Sequence, residues 1–301
     1  MTTRNVRRGA LERRRERNAT LLTLPMYIFT IVFVLGPLIY MLILSFLTRD
    51  EVWGVKYIFT LDNYKNIFNP IYSGTFIQSM KLALISTAAV IIIGYPYGYF
   101  MARAGARAQK LLMTLQMMPF WVNSLVRLYG WIIIFRANGL LDMLLMALHI
   151  TDEPLRLLYT YPIVVVGMIY VLLPFMIFSV YNSVEKMDWS LVDAARDLGA
   201  SRARAFITVT FRLSVPGLLT GVILTFIPSM GLFFIADILG GNKIVLVGNL
   251  IHEQLMTVHN WPFAAALAVV LMILTSVIIW LYRRAARVER LEDDISGEAG
   301  K

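Results

Sequence analysis

The sequence predicts an all-α polytopic membrane protein with six transmembrane helices. Three observations carry that expectation: charged residues make up only 16% of the chain, six apolar stretches each reach bilayer length, and Lys and Arg fall unevenly on the loops between them. A soluble domain carries about 25% charged residues, so most of this surface is suited to lipid. The mean hydropathy of +0.67 agrees. Crossing the hydrocarbon core takes roughly 20 apolar residues per helix. The stretches fall at about 21–47, 82–101, 111–135, 161–181, 215–236 and 264–282, and Arg127 in the third is the one charge within them. Pro96, Pro119, Pro174 and Pro228 interrupt the second to fifth stretches, as suits helices that bend around a central path.

The basic residues orient these helices. The N-terminal tail 1–20 holds seven arginines. Loop 102–110 adds Arg103, Arg107 and Lys110, and loop 182–214 adds Lys186, Arg196, Arg202, Arg204 and Arg212. The tail 283–301 adds five more, which makes twenty on that side. The opposite side has seven: Arg49, Lys56, Lys65, Lys81, Arg136, Arg156 and Lys243. Cationic loops stay in the cytoplasm, so both termini and the 182–214 loop are expected there. The pI of 9.8 is then a topology signal, and no nucleic-acid partner is expected. The first apolar run, 21–47, is about twice as long as the core of a secretory signal, and no small-residue cleavage site follows it. It is expected to be a retained anchor, and Arg7-Arg8 lacks the pattern of a twin-arginine signal.

Several chemistries are excluded. The chain has no cysteine, hence no disulfide, thiolate metal site or Cys nucleophile. It has no G-x-x-x-x-G-K-[ST] phosphate cradle and no helical H-E-x-x-H. His149, His252 and His259 lie outside the apolar stretches. No catalytic residue, metal or cofactor is expected, so energy for any pumping must come from another chain.

The segment 185–216 is too polar to span yet densely patterned. Ser190 and Asp193 are spaced as a capping box with Asp in place of Glu. Leu191, Ala194, Ala195 and Leu198 recur at helical spacing, and Gly199 stands where a left-handed residue would stop the helix. Ser201 can start a second helix carrying Arg202 and Arg204 toward the fifth stretch. The adjacent alanines offer a flat surface. From the residues alone, this short helix either lies on lipid headgroups or meets another protein. In the fifth stretch, Gly217 and Gly221 form a G-x-x-x-G that permits close helix approach.

The run Asp193-Ala194-Ala195-Arg196-Asp197-Leu198-Gly199-Ala200-Ser201 resembles the EAA loop of ABC importer permeases, at its usual place between the fourth and fifth spans. Two positions depart from that pattern: Asp193 stands where Glu is usual, and Arg212 where a proline usually closes the motif. The likeness covers roughly residues 20–285. Phe46-Leu47-Thr48-Arg49-Asp50, Leu61-Asp62-Asn63-Tyr64, the segment from Pro119 to Gly130, Gly248-Asn249-Leu250-Ile251 and Trp261-Pro262-Phe263 are similar to spermidine/putrescine importer permeases, most of all the B-type subunit. Asn260 replaces an Asp common before Trp-Pro. The resemblance implies a type I ABC importer permease fold with a permease domain over about 75–282. It also implies coupling to an ATPase through Asp193, Ala194, Ala195 and Gly199. The implied partners are two ATPase copies, a second permease subunit forming a heterodimer, an extracytoplasmic polyamine-binding protein and membrane lipid. Related permeases for other small solutes share this scaffold.

A polyamine path needs carboxylates or aromatic faces to replace water, and each cation–π contact contributes about 0.5–2 kcal/mol. The six stretches contain no Asp or Glu, so the acidic candidates are Asp237 and Glu253, with Trp121, Tyr129, Phe233, Phe234 and Trp261 as aromatic candidates. Arg127 would repel a polycation, so it is expected to snorkel outward or to pair with a carboxylate or carbonyls. A self-sufficient channel or secondary carrier would usually show intramembrane acids or inverted repeats, and neither is visible.

Overall fold

The computed structural model describes residues 23–50 and 54–298. The basic tail 1–20 lies outside the described residues. Six helices are long and apolar enough to cross a membrane among those described: Thr23–Leu44 (α1), Pro70–Arg103, Ser124–Ala147, Tyr161–Glu185, Arg202–Gly231 and Trp261–Arg284. The expectation of six membrane helices is borne out, with differences in the second and third.

The chain divides into two units. The first comprises residues up to Asn66 together with Gln254–Val270. It holds α1, a short antiparallel hairpin of β1 (Leu47–Arg49) and β2 (Val55–Phe59), and α2 (Asp62–Ile67), which runs one residue beyond the unit. The sequence did not announce the hairpin, whose strands are too short to show alternation. It is held from inside the unit: buried Asn63 donates to the Ser45 carbonyl at 3.0 Å and the Leu47 carbonyl at 2.9 Å. Phe46 stacks on Phe59 at 5.4 Å between ring centroids, and Arg49 donates to the Val258 carbonyl at 2.8 Å. Asn260 Oδ1 accepts from the Phe263 amide at 3.3 Å, so it caps the last long helix.

The second unit comprises Ile67–Glu253 and the chain from Leu271 onward. Its first helix, α3 (Pro70–Arg103), begins well before residue 82. Asn69 caps it by accepting from the Ile71 amide, and Pro70 fits the first helical position because the missing donor would be unsatisfied there anyway. The third apolar stretch, 111–135, is not one helix. It splits into α4 (Ala106–Met117), a 3₁₀ turn at Met118–Trp121, and α5 (Ser124–Phe135), which α6 (Leu140–Ala147) follows. Pro119 removes a backbone donor at the break, and Asn123 restarts the helix by accepting from the Leu125 amide at 2.8 Å. Then come α7 (Tyr161–Glu185), α8 (Ser190–Asp197), α9 (Arg202–Gly231, with a π-helical segment at Phe206–Phe211), α10 (Phe233–Gly240), α11 (Val247–Met256) and α12 (Trp261–Glu298).

The core of this unit is buried apolar surface from α3, α5, α7 and α10, with Val90, Met168, Leu172, Met176, Ile235 and Leu239 at its centre. Small residues set the spacing. A Cβ on Gly98 would lie 2.8 Å from the Ile177 carbonyl, and one on Gly217 would lie 2.2 Å from the Ser183 Cβ and 2.7 Å from the Ser179 carbonyl. A Cβ on Gly221 would meet Met176 Sδ at 2.5 Å. The G-x-x-x-G is therefore the place where α9 approaches the backbone of α7.

Candidate functional site

The helix α8 occupies the patterned loop. The expected capping box does not form. Trp189 already has helical dihedrals (φ −69°, ψ −17°), so Ser190 lies within the first turn instead of capping it. Asp188 caps in its place, its carboxylate accepting from the Ser190 amide at 3.0 Å. Hydrogen bonds from Ser190, first through its side chain and then its amide, hold the Asp188 carboxyl below its ordinary value of 3.8.

The other end of α8 follows the sequence reading. Gly199 has φ +88°, the Gly199 amide donates to the Arg196 carbonyl at 2.9 Å, and the Ala200 amide donates to the Ala195 carbonyl at 3.1 Å. These two bonds define a Schellman stop. Ser201 then caps the next helix by accepting from the Arg204 amide at 3.3 Å. The helix presents two faces. Leu191, Ala194 and Leu198 are exposed, with Ala195 half-buried beside them. On the other side Val192, Asp193 and Arg196 line a concavity of about 630 Å³ shared with Tyr99 and Arg103 of α3, Trp189, and Arg202 and Phe206 of α9. Arg103 lies over the Trp189 ring at 4.8 Å and donates to the Tyr99 hydroxyl at 3.2 Å. Asp193 thus stands on the concave side, apart from the exposed alanine face.

The candidate path residues separate into groups. The helix α9 ends at Gly231, Leu232 breaks it (φ −77°, ψ 58°), and α10 begins at Phe233. Asp237 is half-buried and accepts a hydrogen bond from Asn249 Nδ2. Asn249 also donates to the Phe233 carbonyl at 3.3 Å and accepts from the Leu246 amide at 2.9 Å, so it ties α10 to α11. Phe233 stacks on His252 of α11 at 5.1 Å, and Phe234 packs against the core. Glu253 is exposed on α11. Sequence reasoning missed Asn249 and His252 as members of this cluster, because nothing in the spacing pairs them with α10. Trp121 and Tyr129 are exposed before and along α5, outside the cluster, and Trp261 starts α12 in the first unit.

Of the two roles expected for Arg127, pairing with a carboxylate or carbonyls is not seen among the described residues. Its guanidinium lies over Phe120 at 5.8 Å and Tyr170 at 5.3 Å, and it donates to Ser124 Oγ at 3.2 Å and the Tyr170 hydroxyl at 3.4 Å. With no acid in the apolar stretches, aromatic faces and hydroxyls take the carboxylate's place. The described residues contain no cluster of three metal-ligating side chains.

Residues 94–290 match the family described as binding-protein-dependent transport system inner membrane component. The chain is 41% identical over 258 residues to the spermidine/putrescine transport system permease protein PotB of Escherichia coli (strain K12), covering 86% of this chain and 94% of that protein. It is 40% identical over 258 residues to the PotB of Haemophilus influenzae, covering 86% and 90%. Its fold is that of a solved bacterial alginate ABC transporter in complex with an alginate pentasaccharide-bound periplasmic protein, with a TM-score of 0.72 at 16% identity over 91% of this chain and 95% of the other. The chain belongs to the family of binding-protein-dependent inner-membrane transport components. It is a multi-pass membrane permease, a transport component and not an enzyme.

Proposed function

We propose that this chain is the B-type permease subunit of an ATP-driven importer for spermidine and putrescine. The observation that carries the reading is the identity with polyamine permeases across 86% of the chain. The sequence holds no phosphate cradle, so the complete importer needs ATPase subunits, expected in two copies. A second permease would complete the path, and an extracytoplasmic binding protein would deliver the polyamine. Both termini and the 182–214 loop lie in the cytoplasm in this reading, because twenty cations gather on that side. The permease domain then runs over about 75–282.

Coupling is assigned to α8. Ala194, with Leu191 and Leu198, offers an apolar face to a groove in the ATPase; Ala195 permits close approach; Gly199 fixes where the helix stops. Asp193 acts from the concave side, facing the spans. A polycation entering from outside would meet Asp237 beside Phe233, with exposed Glu253 further along α11. Phe234, Trp121, Tyr129 and Trp261 remain candidates for aromatic faces along the route.

The test is uptake of labelled spermidine by the reconstituted complex, with putrescine, amino acids and sugars as competitors. Competition by putrescine alone supports the reading. Failure of spermidine to enter, with uptake of another solute, replaces the substrate and leaves the class standing.

A further inference from the structure

We propose that the concavity between α8 and the ends of α3 and α9 binds a phosphate-bearing anion, supplied by the headgroup of an anionic membrane lipid. Three guanidinium groups, Arg103, Arg196 and Arg202, line this one space, and Asp193 is the only acid among its lining residues. None of the three arginines has a carboxylate partner within the described residues. Three cations against one carboxylate leave this concave surface net positive, which raises the local potential and favours an anion. The planar arginine fork matches phosphate oxygens in pairs, which an ammonium cannot do.

Arg103 is also held in place: the Trp189 face and the Tyr99 hydroxyl fix its position before any ligand arrives. The volume of about 630 Å³ falls within the roughly 300–1,000 Å³ common for small-ligand sites.

Location selects the source. The concavity stands where two membrane helices end, with Trp189, Tyr99 and Phe206 in its walls. Tryptophan and tyrosine concentrate at headgroup level. The inner leaflet carries anionic lipid, and each arginine near it gains about 1 kcal/mol of attraction. A docked ATPase does not compete for the space, because Leu191, Ala194 and Leu198 project from the opposite side of α8. The lipid source rests on the cytoplasmic orientation proposed above. The binding measurement itself requires neither that orientation nor a polyamine substrate, so the two can fail separately.

The assembled importer is purified in nanodiscs of phosphatidylcholine with phosphatidylglycerol, then gently delipidated, and the retained lipid is counted by native mass spectrometry. A parallel arm uses phosphatidylcholine alone with added inorganic phosphate. Wild type should retain phosphatidylglycerol, and Arg196→Gln with Arg202→Gln should lower retention by about thirtyfold. Arg283→Gln with Arg284→Gln, at exposed positions of α12, should not. Binding in the first arm alone assigns the headgroup, and binding in both assigns the phosphate group whatever its source. No retention in wild type, or equal loss in the control pair, overturns the proposal. If the first pair does not assemble, wild type is crosslinked with a headgroup-photoreactive phosphatidylglycerol. Crosslinks within 189–206 support the site, and crosslinks elsewhere alone overturn it.

Discussion

Replacing Gly199 probes one backbone dihedral on which the end of α8 depends. At φ +88° the residue occupies a conformation that L side chains rarely adopt, and a Cβ there would meet nothing within 4 Å. No clash complicates the substitution; the cost is conformational alone. Forcing an alanine into left-handed backbone costs about 1–2 kcal/mol, and a β-branched side chain costs more. If the stop gives way, the hydrogen bonds from Gly199 to Arg196 and from Ala200 to Ala195 are lost together. The population holding the observed loop should then fall roughly fivefold to thirtyfold for Gly199→Ala and further for Gly199→Val. Asparagine tolerates this region best among the other residues, so Gly199→Asn should lose least. The assay is co-purification of the ATPase with a tagged permease, read beside polyamine uptake. The expected order is Gly, Asn, Ala, Val. Full ATPase retention by Gly199→Val, or equal loss in all three variants, would refute the reasoning.

Other outcomes follow from the packing and topology. Gly217→Ala should destabilise the protein by about 1–3 kcal/mol, and more than Gly221→Ala, because its Cβ meets the Ser179 carbonyl while that of Gly221 meets a flexible methionine sulfur; thermal unfolding in detergent reads the difference. Single cysteines at Thr3, Ser201 and Asn242 should be labelled from outside only at Asn242, and external labelling at Ser201 would reverse the topology. Asp237→Asn should assemble yet lose apparent polyamine affinity, up to about thirtyfold for roughly 2 kcal/mol of lost attraction, whereas Asp152→Asn should transport as wild type. Poor assembly of Asp237→Asn would make the tie to Asn249 its main role.

The membrane helices were legible because lipid enforces them: a run without charge has few alternatives at bilayer length. The stop at Gly199 was legible for a similar reason, since few residues other than glycine accept its dihedral. The start of α8 was not. Ser190 and Asp193 have capping-box spacing, but Asp188 lies two residues upstream and makes an equivalent bond first, and no spacing rule chooses between two such caps. The break at Pro119 was visible as a proline; that it ends one helix depended on Asn123 being ready to cap the next. The contacts of Arg127 with Tyr170 and of Asp237 with Asn249 were hidden because each joins two helices, α5 to α7 in the one and α10 to α11 in the other. Such pairs are set by packing, which periodicity does not encode.

The connections of α8 argue for a stiff lever. It is joined to α7 by residues 186–189 and to α9 by 198–201, both short, and each carries its own hydrogen bonds: Met187 to the Val184 carbonyl on one side, the Schellman pair and the Ser201 cap on the other. A connector this short and internally bonded has little slack to absorb a displacement. Arg103 adds a third attachment, because its place over Trp189 ties the end of α3 to the start of α8. Movement imposed on α8 must therefore pass to three helices whose glycines place them in close contact. Within α9 the π-helical segment Phe206–Phe211 and Pro216 lie nearest α8, and past Gly221 a further soft point stands at the far end, where Pro228 lacks a backbone donor and Leu232 leaves helical geometry. Just beyond that point lies Asp237. A push at the ATPase face would then be spent near the proposed polyamine contact, with the close-packed stretch from Gly217 to Gly221 moving as one piece between them.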